Sequence, residues 1–172
     1  TPLQWADPTA QFGLINVRIA SDGTGHVYVV WEEKVSSGIS RIYLNRSTDH
    51  GRTWAEKSIL VSPPGDIEFG VHNPQIVVVP GGRVAVMWEQ FDQRVITQKG
   101  IRPDRPLTKV DRILVVNRSL DEGQSWLAKP IRLNVIDPAV PDKVESGHAR
   151  LSADRQGRLY AVWIEAEGQT SK

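Results

Sequence analysis

The 172-residue sequence contains no cysteine. Disulfide bonds, thiol catalysis and cysteine-based zinc sites are therefore excluded, and the redox compartment stays open. An excess of charge of one sign is also lacking, because 21 Lys and Arg residues oppose 20 Asp and Glu residues. This balance gives no electrostatic reason to expect nucleic acid or an acidic membrane surface as a partner, and we predict neither.

Long hydrophobic runs are missing as well. The longest apolar stretches, such as 76–80 and 84–88, have the length of a β-strand and are far too short to cross a bilayer. We therefore expect no membrane span. The chain opens on Thr1 and shows no signal peptide, so we expect a mature or trimmed product.

Turn-forming residues and tryptophan are abundant instead. The sequence has 14 Gly, 11 Pro and 6 Trp. Such a composition is typical of many short strands joined by tight turns. It favours an all-β fold over a helical one.

Comparison of the chain with itself shows one pattern three times, in segments 16–31, 73–88 and 148–163, which align without a gap. In each segment an aliphatic residue is followed six positions later by glycine, and six positions after that by tryptophan. These are Ile19, Gly25 and Trp31; Ile76, Gly82 and Trp88; and Leu151, Gly157 and Trp163. Apolar residues alternate between the glycine and the tryptophan, which predicts a β-hairpin in each segment.

A second pattern, Ser-x-Asp-x-Gly-x-Thr/Ser-Trp, occurs twice. Its residues are Ser47, Asp49, Gly51 and Trp54, and then Ser119, Asp121, Gly123 and Trp126. Short Ser and Asp side chains can bond to nearby backbone donors and hold a tight turn, and glycine allows the backbone geometry of that turn. The tryptophan can pack between neighbouring sheets. We interpret all eight residues as structural and neither aspartate as catalytic.

These repeats predict a β-propeller of four-stranded antiparallel blades, with about two and a half blades in residues 1–172. The first blade, at 16–62, has predicted strands at 16–21, 25–32, 40–46 and 54–61. The second blade, at 73–134, has predicted strands at 73–79, 83–89, 112–118 and 126–134 and a long insertion at 90–110. The half blade, at 147–166, has predicted strands at 148–153 and 158–165. Residues 3–6, with Trp5, are predicted as an outer strand of a preceding blade.

Two and a half blades cannot close a ring. An open arrangement would expose apolar sheet faces and unpaired strand edges. We therefore expect the rest of the propeller to come from missing sequence or from other chains.

The repeated turn resembles the Asp box, or bacterial neuraminidase repeat, of the sialidase-like superfamily, and the resemblance covers 16–165. It implies a secreted or periplasmic protein that binds glycans or hydrolyses glycosides, in the manner of an exo-sialidase if it is an enzyme. The same blade also serves non-catalytic propellers, so a module for protein or surface recognition stays open as the alternative. Sialidases usually carry an Arg-Ile-Pro motif, whose arginine position falls here on Ile15, His72 and Gly147.

Candidate site residues collect at the end of the blades opposite the Ser-Asp turns, where second strands finish and first strands begin. Carboxylates and histidines suited to acid–base work on sugars lie there: Glu32, Glu89, Glu165, His72 and His148. The alternative is that these residues end strands and face water. The histidines lack the tight spacing of a metal site, and we predict no metal and no cofactor.

The long insertion of the second blade adds a basic segment at the same end. Arg94, Arg102 and Arg105 are the candidate ligand-binding residues in it. Long loops on a rigid scaffold often carry function, so an acidic sugar or a partner could bind here. A solvated basic loop, or one that packs on a neighbouring chain, is the alternative.

Overall fold

The computed structural model describes residues 13–36, 39–63, 70–79, 81–96, 107–134 and 144–167. This part of the chain consists of β-strands and turns and contains no helix, so it has none that could cross a membrane. The strands are β1 (Leu14–Ser21), β2 (Val27–Ser36), β3 (Ile39–Ser47), β4 (Ile59–Leu60), β5 (Val71–Val79), β6 (Arg83–Ile96), β7 (Leu107–Ser119), β8 (Ile131–Arg132), β9 (Val144–Ala153) and β10 (Leu159–Glu167). The all-β prediction is confirmed, while residues 3–6 lie outside the described residues.

The strands form three antiparallel sheets, each a meander in chain order. Sheet 1 contains β1 to β4, sheet 2 contains β5 to β8, and sheet 3 contains β9 and β10. The predicted four-stranded antiparallel sheet is therefore present twice. The third repeat supplies a two-stranded sheet from its hairpin.

The fourth strands are much shorter than predicted. Strands were expected at 54–61 and 126–134, but β4 and β8 contain two residues each. The preceding residues are held by side chains instead: Asn45 Nδ2 donates to the Ala55 carbonyl at 3.1 Å, and Asn117 Nδ2 donates to the Leu127 carbonyl at 3.2 Å. These bonds satisfy backbone groups that a longer ladder would otherwise pair.

The second and third strands of sheet 2 are longer than predicted. They were expected at 83–89 and 112–118, yet β6 and β7 stay paired from Gln90↔Ile113 to Ile96↔Leu107. Both ends of the insertion predicted at 90–110 are thus a hairpin extension rather than a loop. Antiparallel pairing satisfies the backbone N–H and C=O groups of both arms, which an irregular loop would leave to water.

Alternating side chains pack the three sheets face to face. The first cluster joins sheets 1 and 2 and includes Tyr28, Val30, Ile42, Leu44, Val84, Val86, Trp88, Ile113 and Val115. The second joins sheets 2 and 3 and includes Ala85, Met87, Leu114, Val116, Ala149, Leu151, Ala161 and Trp163. Because successive side chains of a strand point to opposite faces, sheet 2 is covered on both sides by its neighbours.

The two Ser-Asp turns have matching hydrogen bonds. Ser47 Oγ lies 2.7 Å from Asp49 Oδ1 and accepts the backbone N–H of Gly51 at 2.9 Å. The corresponding distances at Ser119 are 2.7 and 2.8 Å. Bonds from Ser125 and Ser119 lower the pKa of Asp121 to about 2, and similar bonds lower that of Asp49. Both carboxylates are therefore ionised and hydrogen-bonded within their own turns.

Candidate functional site

The first strand of each sheet carries a β-bulge at the end opposite the Ser-Asp turns. The strand register shifts around Asn16, Asn73 and His148. These residues have positive φ angles of 54°, 54° and 55°. Asparagine adopts this left-handed conformation more readily than most residues, and a bulge redirects the side chain that it carries.

At the first two bulges the asparagine amide reaches a glutamate on the neighbouring strand. Asn16 Nδ2 donates to Glu32 Oε2 at 2.9 Å, and Asn73 Nδ2 donates to Glu89 Oε1 at 3.1 Å. The third repeat has His148 and Ile164 at the aligned positions, so it lacks both members of the pair. The Asn–Glu pair therefore belongs to sheets 1 and 2 alone.

Glu32 also joins sheet 1 to sheet 2. Its carboxylate is fully buried, lies 2.7 Å from His72 Nδ1 and accepts the Asn73 backbone N–H at 3.3 Å. Burial alone would raise the pKa of Glu32, but hydrogen bonds from His72, Asn16 and Asn73, together with the charge on His72, outweigh it and lower the pKa. An ionised and enclosed carboxylate orients its neighbours and does not touch a ligand.

His72, Phe91 and Arg112 form a partly exposed group beside these carboxylates, which we call the His–Phe–Arg row. The His72 and Phe91 rings meet edge to face at 5.4 Å, and the Arg112 guanidinium lies 5.2 Å from the centre of the Phe91 ring. Arg112 NH1 is 3.6 Å from Glu89 Oε2. The side chains of His72 and Arg112 are 31% and 34% exposed, so each one contacts a buried glutamate while still reaching solvent.

The structure brings together three of the five predicted acid–base residues. Asn73 connects them, because its backbone contacts Glu32, its amide contacts Glu89, and it follows His72 in the chain. His148 is exposed at the bulge of sheet 3, and its side chain makes no hydrogen bond or ion pair with the other residues that the structure describes.

For the remaining candidate site residues, the structure describes either the backbone alone or nothing. Glu165 lies in β10 and Arg94 in β6, but their side chains are not among those that the structure describes. Arg102 and Arg105 lie outside the described residues. Their proposed roles stay predictions.

Sequence reasoning missed Asn16, Phe91 and Arg112, and it placed Asn73 at this end of the blades without giving it a role. The two asparagines were visible as aligned residues of the repeat, since both begin the matching segments. Phe91 and Arg112 face each other across the β6–β7 ladder. Their proximity follows only from the extended hairpin, which the sequence pattern did not predict.

The chemistry of the site favours a hydrogen-bonded ligand. Among the described residues, no group of three or more His, Asp or Glu could hold a metal ion. The oxygens of Glu32 are already occupied by N–H donors. The part-exposed side chains of the row are the ones that can contact a ligand.

Comparison with known proteins supports the fold. No protein-family model and no curated protein matches the sequence. The chain is similar in structure to Hadza microbial sialidase Hz136, with a TM-score of 0.54 and 20% identity over 94% of this chain and 36% of that chain. It is also similar to a protein of unknown function from Dyadobacter fermentans, with a TM-score of 0.50 and 14% identity over 92% of this chain and 52% of that one. The chain thus has a sialidase-like all-β fold. It spans about a third of the length of the first neighbour and about half of the length of the second.

Proposed function

We propose that the chain forms part of a β-propeller of the Asp-box type, and that its His–Phe–Arg row binds a glycan carrying an acidic group. The observation that carries the proposal is the row itself, in which the part-exposed His72 and Arg112 side chains lie beside an aromatic ring, each with a buried glutamate behind it. The hydrogen-bonded Ser-Asp turns and the sialidase-like fold support the propeller.

The chemistry of the row suits an acidic sugar. A guanidinium offers planar paired donors that match a carboxylate, and an aromatic ring offers an apolar surface for a sugar ring. Glu32 and Glu89 hold the His72 and Arg112 side chains in place before a ligand arrives, which reduces the entropy lost on binding. Glu32 in particular fixes the orientation of the His72 ring through Nδ1.

Binding is favoured over hydrolysis by the described residues. A glycosidase needs a carboxylic acid in contact with the glycosidic oxygen. Glu32 is fully buried and Glu89 is 7% exposed, and both are bonded to protein groups. Glu32 and Glu89 are therefore better placed to hold the side chains of the row than to react with a substrate.

The substitution Arg112→Ala tests the acidic-glycan site. We expect binding of a sialylated oligosaccharide, measured by isothermal titration calorimetry, to weaken by about 10-fold or more, because a hydrogen bond to a charged group contributes roughly 1.5–3 kcal/mol. Binding of the neutral parent sugar should change far less. Arg118→Ala is the matched control, since Arg118 lies on the same strand at the opposite end and is exposed.

Other outcomes have distinct meanings. Equal weakening of acidic and neutral sugars would contradict recognition of the acidic group. Failure of the unaltered protein to bind either sugar would overturn the proposal and favour the protein-recognition module. Release of free sialic acid from the sialylated ligand would show that the protein also hydrolyses it.

A further inference from the structure

The charges at the His–Phe–Arg row do not balance when His72 is neutral. Glu32 and Glu89 each bring a carboxylate, and both residues are buried. Arg112 brings a guanidinium, which lies 3.6 Å from Glu89. Two carboxylates against one guanidinium leave a net negative charge beside the row. An acidic ligand would add a further negative charge there, which opposes its binding.

A proton on His72 restores the balance, and the contact with Glu32 decides which nitrogen receives it. Glu32 Oε1 lies 2.7 Å from His72 Nδ1, while Glu32 Oε2 accepts the Asn16 amide and the Asn73 backbone N–H. An ionised carboxylate can only accept hydrogen bonds, so Nδ1 carries a hydrogen in both charge states of the ring. The hydrogen that is gained on protonation is therefore on Nε2.

The two charge states of His72 differ in what they offer to an anion. In the neutral ring Nε2 is an acceptor, and its lone pair repels a carboxylate oxygen. In the charged ring Nε2 is a donor that can form a charge-assisted hydrogen bond. The part-exposed His72 ring meets Phe91, and Arg112 contacts the same Phe91 ring. Protonation thus places a second positive charge on the row that we propose as the acidic-glycan site.

The charged groups around His72 come from several strands. Glu32 approaches from β2, and Glu89 is paired with His72 across the β5–β6 ladder. Arg112 lies beside Glu89 on β7. The other charged residues and histidines of the strands packed against β5 are Arg18 in β1, Glu33 and Lys34 in β2, Arg41 and Arg46 in β3, Arg83, Asp92 and Arg94 in β6, and Glu145, His148 and Arg150 in β9. Carboxylate, ammonium and guanidinium groups ordinarily keep their charge between about pH 6 and 9, whereas histidine does not. His148 is therefore the group on these strands whose titration must be separated from that of His72.

We propose that the row binds an acidic glycan together with one proton, which is taken up by Nε2 of His72. The inference rests on the proposed glycan site and adds that the ligand prefers the charged state of the histidine. Affinity therefore falls as the pH rises through the range in which His72 loses its proton. Bound ligand in turn makes His72 harder to deprotonate, because the coupling between two binding equilibria is reciprocal.

Isothermal titration calorimetry with a sialylated oligosaccharide tests the proposal. At each of several pH values between about 6 and 9, two buffers of different ionisation enthalpy give the number of protons taken up per ligand bound. We expect uptake to approach one proton at the upper end of this range, where the affinity should fall by up to about 10-fold per pH unit. His72→Gln keeps an N–H donor for Glu32 but cannot gain a charge. It should bind with neither proton uptake nor a pH-dependent affinity.

His148→Asn is the matched control. It removes the other histidine beside β5, and asparagine already occupies the aligned bulge positions at Asn16 and Asn73. This variant should keep the proton uptake and the pH dependence of the unaltered protein. In a second measurement, NMR should show the titration of the His72 ring move to higher pH by about one unit or more when the ligand saturates the protein. A hydrogen bond between charged groups contributes about 10-fold or more in affinity, and reciprocity transfers that factor to the proton.

The possible failures have different meanings. Binding without proton uptake, or without a shift in the titration of His72, would overturn this inference and leave the glycan site standing. Proton uptake that persists in His72→Gln would also overturn it, because another group would then hold the proton. Failure of the unaltered protein to bind the ligand at any pH would overturn the proposed function and this inference together.

Discussion

At the scale of single residues, Glu32 is the side chain on which the site depends. A buried charge is tolerated when donors surround it, and removal of its compensation is costly. Glu32 meets this condition through contacts with His72, Asn16 and the Asn73 backbone. These partners come from both sheets, so one carboxylate orients the part-exposed His72 and links two repeats.

Replacement of Glu32 by glutamine should destabilise the protein by about 1–3 kcal/mol near neutral pH, because one amide N–H₂ would face existing donors. The pKa of Glu32 is lowered from 4.5 on folding. Its charge therefore stabilises the fold above about pH 4.5, and this contribution is lost as the pH falls through the folded-state pKa. Urea unfolding across this pH range should show the difference between the two proteins shrinking toward acid.

Glu56→Gln provides the control, since Glu56 is exposed, and it should leave stability nearly unchanged. A cost for Glu32→Gln that stayed constant down to strongly acidic pH would mean that shape, and not charge, accounts for the loss.

At the scale of elements, local chemistry was predictable and ladder length was not. The Ser-Asp turns follow from residues a few positions apart, and their hydrogen bonds form as that spacing requires. The length of β6 and β7 depends on whether two distant arms pair, and the short fourth strands depend on competition from Asn45 and Asn117. Neither the long β6–β7 pairing nor the short fourth strands can be predicted from residues that are close in sequence.

The same division applies to the site. Glu32, Glu89 and His72 could be named from the sequence because predicted strands begin or finish at these residues. Phe91 and Arg112 were not, because they meet only through the register of the extended hairpin. Sequence reasoning named three residues that the structure brings together at this end of the fold, but it did not name the aromatic and guanidinium groups beside them.

The bulges allow the backbone and side-chain contributions of Asn73 to be separated. Asn73→Ala should cost roughly 2–4 kcal/mol in urea unfolding, because alanine is disfavoured at positive φ and the bond to Glu89 is lost. Asn73→Gly should cost about 1 kcal/mol less, since glycine accepts the backbone conformation.

His148→Ala is the matched control for this pair. It changes an equivalent bulge that has no glutamate at the aligned position, so it carries the backbone cost alone. Equal costs for Asn73→Ala and Asn73→Gly would show that the left-handed backbone contributes nothing to the preference for asparagine.

At the scale of the whole molecule, the three sheets are unequally supported. Sheet 2 packs against a neighbour on each face, and polar contacts add to its join with sheet 1 at both ends: His72 with Glu32, and Arg46 NH1 with the Glu122 carbonyl at 2.9 Å. Sheet 3 has two strands and is covered on one face, while Val162 and Ile164 on the other face are 66% and 60% exposed. Two-stranded sheets are marginal without such cover.

Hydrogen exchange should therefore follow a gradient along the chain. In dilute solution, backbone amides of β9 and β10 should exchange at least about 10-fold faster than those of β6 and β7, because local opening needs less free energy where fewer apolar contacts are broken. Uniform exchange across all three sheets would contradict the gradient and show that the described part of the chain opens as one cooperative unit.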